Sequence, residues 1–290
     1  MKGYKGFTPG LVCKGKQYQE NTVFEEPEAE ICKKGMHFCE NPFDVLDYYD
    51  LVREDGSFND FAEVEALDET RTDDFKKFCT KKLKIGVKLS FAGFVKACVD
   101  FVLEKTTHEM PSASINSGDY AQIGSSGDYA KIGSSGNCAQ IGSSGDCAQI
   151  GSSGNYAKIG SSGDCAKIGS SGNYAQIGSS GYNAQIGSSG YNAQIGSSGD
   201  CAKIGSSGDC AKINCAGENS VICCAGQGSV VKASVGCWIT LAEWKYDGEK
   251  DRNVPVCVKT EYVDGERIKA DTPYTLKNGE FVEVATDGKA

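Results

Sequence analysis

Histidine is nearly absent: His37 and His108 are the only two in 290 residues. That leaves little scope for histidine-driven acid–base or nucleophilic catalysis. No Ser-His-Asp order, Walker loop, His-Glu-x-x-His or paired Cys-x-x-Cys stands out, so the common signatures of hydrolysis, nucleotide turnover and zinc binding are missing. No run of about 18 apolar residues is present, so a membrane-spanning helix is not expected. Met1-Lys2-Gly3-Tyr4-Lys5 leads into no apolar signal segment, and a cytoplasmic protein is expected. A clustered basic face is lacking too. The net charge of −9 is spread along the chain, −5 over residues 1–110, −1 over 111–216 and −3 over 217–290. Direct binding to nucleic acid is therefore not expected, because it needs concentrated cations.

What is abundant is cysteine, fifteen residues. An odd count without an export signal reads as reduced thiols rather than a disulfide framework. Glycine and serine are abundant for a different reason. From Ile123 an isoleucine recurs every nine residues: Ile132, Ile141, Ile150, Ile159, Ile168, Ile177, Ile186, Ile195, Ile204 and Ile213. The unit is Gly-Ser-Ser-Gly-x-x-Ala-(Gln/Lys)-Ile. A fixed short period marks a solenoid, in which each unit buries its apolar side only against its neighbours.

Alternation within Asp-Tyr-Ala-Gln-Ile puts Ala and Ile inside and the Tyr/Cys/Asn and Gln/Lys sites outside. The Gly-Ser-Ser-Gly segment is expected to turn the corner, with glycine supplying positive φ. Two units would close a flattened coil of eighteen residues and three a triangular one; the narrow Ala/Ile interior favours two. Degenerate units at Ser112-Ala113-Ser114-Ile115, Asn219–Ile222 and Gly228–Val231 bring the total to fourteen, or seven coils, roughly 34 Å of rod at about 4.8 Å per coil. The predicted fold is mainly β: a parallel β-solenoid at 111–235, an N-terminal α+β domain at 1–110 and a small C-terminal β-meander cap at 236–290.

The outer sites form ladders. They serve either to stabilise the sheets or as a binding surface of Tyr120, Tyr129, Tyr156, Tyr174, Tyr182 and Tyr191 with Lys131, Lys158, Lys167, Lys203 and Lys212. Calcium binding is disfavoured by the order of Gly and Asp, and ice binding by the charges.

In the first domain, Gly35–Cys39 reads as a strand. Asn41 caps a helix with Pro42 at its first position. Phe61–Leu67 and Lys84–Leu89 alternate like strands, and Phe91–Leu103 has an amphipathic helical stripe. In the C-terminal part, Trp238–Ala242, Val254–Val258, Glu261–Val263 and Phe281–Val284 are strand-like. Asp264-Gly265 and Asn278-Gly279 are hairpin pairs, and Trp238 and Trp244 are placed to cover the rod's open end. His108 reads as a solvated linker residue. Cys13, Cys32, His37 and Cys39 form a weak candidate metal set, with packed thiols and a satisfied histidine as the plainer reading.

Gly35-Met36-His37-Phe38-Cys39 followed by Tyr48-Tyr49 is similar to the nicotinamide-pocket segment of ADP-ribosyltransferases. That resemblance would assign catalysis to His37, Tyr49 and Glu65, or Glu63, although Tyr4-Lys5-Gly6 lacks the family's first-strand histidine. A wider resemblance covers Tyr4-Lys5-Gly6-Phe7, Cys13–Tyr18, Cys32–Pro42, Tyr48-Tyr49, the repeats and the tail Val263–Thr272 through Phe281–Val284. On these segments the chain resembles an uncharacterised family of phage and prophage proteins. The family has no known activity to transfer, but it implies a mobile-element setting in a bacterial host. The expectation is a non-enzymatic binding scaffold that needs no cofactor and has a protein partner such as a bacterial defence protein. An ADP-ribosyltransferase-like enzyme and a self-assembling structural protein are the alternatives.

Overall fold

A computed structural model describes residues 1–106 and 113–285; His108 and Ser112 lie outside them. The middle of the chain is a two-sided parallel β-solenoid. Each nonapeptide supplies one strand, and consecutive strands alternate between two sheets. Partners are therefore eighteen residues apart: Ile132 aligns with Ile150 in one sheet and Ile141 with Ile159 in the other. Fourteen strands from Ala113–Asn116 to Val230–Ala233 make the seven coils. The eleven isoleucines are all buried, none more than 4% exposed, with the repeat alanines packed beside them. Full burial of one isoleucine side chain contributes about 2 kcal/mol. A one-residue slip would turn the whole row into water, so the register is firmly set.

The strand lies elsewhere in the repeat than expected. It is (Gln/Lys)-Ile-Gly-Ser, with Ile and Ser pointing in and Gln/Lys and Gly pointing out. The corner is Ser-Gly-x-x-Ala, and its left-handed residue is the Tyr/Cys/Asn site, with φ between 54° and 58° from Tyr120 to Cys210. The corner glycine is needed for proximity instead: a methyl on Gly163 would stand 2.1 Å from the Gly145 carbonyl oxygen one coil below. The residue before the left-handed site ties coils together, as where Asp146 Oδ1 accepts the Asp164 N–H at 2.8 Å. In Tyr182-Asn183 and Tyr191-Asn192 the order is reversed, so that asparagine, which tolerates left-handed backbone best among such residues, takes the strained position. Ile115, in the irregular first unit, lies outside the inward row. Ser114 aligns with Ile132, so Ile115 faces outward and is 88% exposed.

The N-terminal region is α+β, as expected. An antiparallel sheet runs in the order Val23–Glu25, Lys82–Leu89, Asp60–Ala66, Lys2–Phe7, Met36–Cys39, Lys77–Thr80, Thr70–Arg71. It carries α1 (Pro42–Val45), capped by the Asn41 side chain, and α2 (Phe91–Lys105), capped by Ser90. One sheet of the rod lies under this region. Here we call it the covered sheet, with strands Gln122–Ser125 to Val230–Ala233; the other, Ala113–Asn116 to Val221–Cys224, is the open sheet.

The C-terminal part is not a separate meander. Trp238–Asp247 continues the open sheet parallel to Val221–Cys224, and Arg252–Tyr262 returns beside it. Pro273–Lys277 continues the covered sheet antiparallel, followed by Glu280–Glu283 across the Asn278-Gly279 turn. Asp264-Gly265 lies in the crossing between sheets rather than in a hairpin. Neither tryptophan plugs the end of the rod. Ile239, Leu241, Val263, Ile268, Tyr274 and Leu276 close the core, while Trp238 packs at a tilt against Tyr262 at the surface and Trp244 Nε1 donates to the Ala225 carbonyl. All fifteen cysteines are free thiols, and no described helix is long and apolar enough to cross a membrane.

Candidate binding cleft

Local sequence in the N-terminal domain builds a cleft of about 540 Å³. Strand Lys2–Phe7 forms its floor. Gly6 lets the Tyr49 ring lie directly on that strand, since a methyl there would stand 2.6 Å from the ring. The two-residue turn Lys14-Gly15, both at positive φ, folds Cys13 back over the floor. Gly35, at φ 84° and against Ala29, admits strand Met36–Cys39 with His37. Tyr48 and Tyr49 follow α1, and Lys77 comes from the neighbouring strand.

At the centre Lys5 is buried and shares a face with Phe7, its ammonium 5.3 Å from that ring. It donates to the His37 carbonyl at 2.9 Å and to Cys13 Sγ at 3.5 Å. Tyr49 donates its hydroxyl to the same sulfur at 3.0 Å. Burial lowers the pKa of Lys5 against the pull of Cys13. Burial raises that of Tyr49, helped by its bond to Cys13, and also that of Tyr18. His37 is held down to about 4, first by burial and then by the cations Lys5, Lys77 and Lys14. Its neutral ring accepts the Cys32 N–H on Nε2 at 3.0 Å. Lys16 pairs with Glu26 and Lys34 with Glu28, and Lys77 lies 4.4 Å from the Tyr48 ring centre. Such a wall can hold an anionic group near Lys14 and Lys77, and a flat apolar group against the tyrosines.

His37 and Tyr49 thus share the cleft. Glu65 does not reach it: its strand partners are Lys2 and Lys84, and Glu63 is also absent from the lining. Cys13, Cys32, His37 and Cys39 do not converge on a point; among the described residues no group of three His, Cys, Asp or Glu could hold a metal. Cys39 is buried among Phe43, Val45 and Phe94, and burial pushes its thiol up to about 12.

The tyrosine–lysine set divides over several faces rather than forming one. Tyr120, Tyr156, Tyr174 and Tyr191 follow one corner of the rod; Tyr156 and Tyr174 stack at 5.0 Å, with Tyr191 edge-on to Tyr174. Tyr129 and Tyr182 follow the other corner. Lys131, Lys167 and Lys203 lie on the open sheet. Lys158 and Lys212 are not surface residues. They are buried under the N-terminal domain, where Lys158 donates to the Phe43 carbonyl at 2.9 Å and pairs with Asp47, and Lys212 pairs with Glu54.

A family model described as a domain of unknown function, DUF7666, matches residues 1–97. The match contains every cleft residue named above and ends within α2, before the rod begins. No curated protein matches the chain, and no solved structure does.

Sequence reasoning overlooked Lys5 as the floor of the cleft and the convergence of Lys5 and Tyr49 on Cys13. A usable signal was present: two residues before Phe7 in an alternating strand, Lys5 must share its inward face.

Proposed function

We propose that the chain is a non-enzymatic binding scaffold whose N-terminal cleft is the seat of specificity and whose rod is the rigid carrier. The observation that carries this reading is the composition of the cleft. Cations and tyrosines gather there around Lys5, while the glutamates of the Asp60–Ala66 strand stay outside it. In this reading the chain is phage-encoded, acts in the bacterial cytoplasm and blocks a defence protein by occupying an acidic surface feature. The phage setting rests on the resemblance of residues 4–49, the repeats and the tail. An ADP-ribosyltransferase-like enzyme is the second reading, favoured by His37 and Tyr49 lining one cleft.

Affinity capture from expressing bacterial cells, read by mass spectrometry, tests the first reading. The intact chain should retain a defence protein that a Lys14→Glu/Lys77→Glu variant releases. NAD turnover by the parent chain that disappears in Tyr49→Ala would overturn it in favour of the enzyme.

A further inference from the structure

The open sheet repeats, coil for coil, the outward surface that the covered sheet presents to the N-terminal domain. On the covered sheet that surface is engaged from Gln140 to Lys212. Gln140 accepts from Asn41 and donates to Asp44, both at 2.8 Å. Lys158 meets Phe43 and Asp47, Gln176 donates to the Leu46 carbonyl, Gln194 accepts the Val52 N–H, and Lys212 meets Glu54. Beside this polar row runs a glycine row that serves as the bed of α2. Phe91 lies over Gly196, Val95 over Gly178, Val99 over Gly160 and Gly142, and Leu103 over Gly124.

On the open sheet the same two rows stand empty. A methyl built on Gly151, Gly169, Gly187 or Gly205 would meet nothing within 4 Å. Lys131 and Lys167 form no ion pair among the described residues, and Lys203 reaches only Asn183 at 3.2 Å. From Lys131 to Ser206 the strands of this sheet contain no carboxylate. The track ends at the exposed apolar side chains Ile115 and Val221.

We infer that the open sheet is a docking track for an acidic amphipathic α-helix of a partner protein. Small or β-branched residues three and four apart would lie on the glycines, and carboxylates would meet Lys131, Lys167 and Lys203. The pitch fits. On the covered sheet α2 advances twelve residues from Phe91 to Leu103, about 18 Å, while the row beneath it advances four coils from Gly196 to Gly124, about 19 Å, so a helix lying along the rod brings residues three and four apart over successive glycines. Lysines two coils apart, roughly 10 Å, suit acids about seven residues apart on the helix. The covered sheet already holds α2 on its glycine row, while the neighbouring segment 41–56 brings carboxylates and carbonyls to its Lys/Gln row. A second copy of the chain, face to face, would set lysine rows against each other with no acid to receive them. The inference concerns a different surface from the cleft and stands independently of it.

The test uses the full chain and a fluorescein-labelled, alanine-based helical peptide. The peptide carries valine at alternating three- and four-residue spacing and glutamates seven residues apart; a control carries lysine in place of glutamate. Fluorescence anisotropy should show saturable binding of the glutamate peptide and none of the lysine peptide. Gly169→Leu, which fills the track where no neighbour is displaced, should weaken binding at least about ten-fold. So should the exposed triple variant Lys131→Glu/Lys167→Glu/Lys203→Glu, which reads the same surface without altering backbone packing. No saturable binding, equal binding of the lysine peptide, or undiminished binding to both variants overturns the inference. A concentration-dependent dimer in sedimentation velocity that Gly169→Leu abolishes also overturns it, because a second copy would then be the occupant.

Discussion

Lys158 and Lys167 occupy the same place in the same nonapeptide, one unit apart, and have opposite surroundings. Lys158 is buried between the Phe43 carbonyl and Asp47, whereas Lys167 stands exposed on the open sheet. The same holds for the glycines: Gly142 bears the backbone of α2, and Gly151 bears nothing. The repeat therefore specifies a rod with two equivalent outer faces. The asymmetry comes from outside it, from residues 41–56 and α2 laid along one face. A repeat residue's role is set by which sheet its unit joins, an odd-or-even property that composition alone does not carry.

The largest expected effect probes the glycines. In Gly142→Leu the new Cβ would stand 3.2 Å from Val99 Cα, so the rest of the side chain can only displace the helix backbone. Overpacking of this kind costs about 3 kcal/mol. Gly151→Leu has open space and a compatible backbone, and should change stability by no more than about 0.5 kcal/mol. Urea unfolding of both variants checks this. Equal losses would mean that α2 does not rest on the rod in solution.

The repeat made the rod legible: the isoleucine period gave the inward row, and the narrow interior gave two units per coil. It misled on the strand's position. Ala and Ile are both buried, but Ala lies in the corner, and burial alone does not separate a strand from an inward-turned corner. Glycine as the source of positive φ was the natural reading, yet tyrosine and cysteine take that conformation while glycine solves a crowding problem between coils. Ile115 belongs to an irregular first unit, and its spacing of eight from Ile123 places it one residue out of register with the inward row. In the cleft, His37, Tyr49 and Cys13 were each legible as notable. Their meeting was not, because it depends on the Lys14-Gly15 turn and on Gly6 clearing space for a ring.

An intermediate effect separates the lysines. Lys158→Met leaves the Phe43 carbonyl without its donor and Asp47 without its partner. Asp47 is 42% exposed, so water screens part of the loss, and about 1–2 kcal/mol is expected. Lys167→Met should stay within about 0.5 kcal/mol. Thermal melting of the pair, at low and high salt, measures the difference. If Lys167→Met costs as much, the open face is engaged within the chain itself and the contrast between the two faces fails.

The smallest effect asks whether that contrast reaches the interior. Two inward rows of serine run along the rod, and the hydroxyls of Ser170 on the open sheet and Ser179 on the covered sheet both lie buried without a described protein partner. Removing a buried hydroxyl that makes no bond is neutral or stabilising. The chain makes the same exchange near its C-terminal end, where Ser197 aligns with Cys215 and Cys215 with Ala233. Ser170→Ala and Ser179→Ala should therefore each raise stability by between zero and about 1 kcal/mol, and equally, because each row faces only the rod's own core. Differential scanning calorimetry on both variants decides it. A loss confined to Ser179→Ala would mean that packing of the N-terminal domain reaches through the sheet. A loss in both would mean that the serine rows are bonded, and that the interior is held by more than its isoleucines.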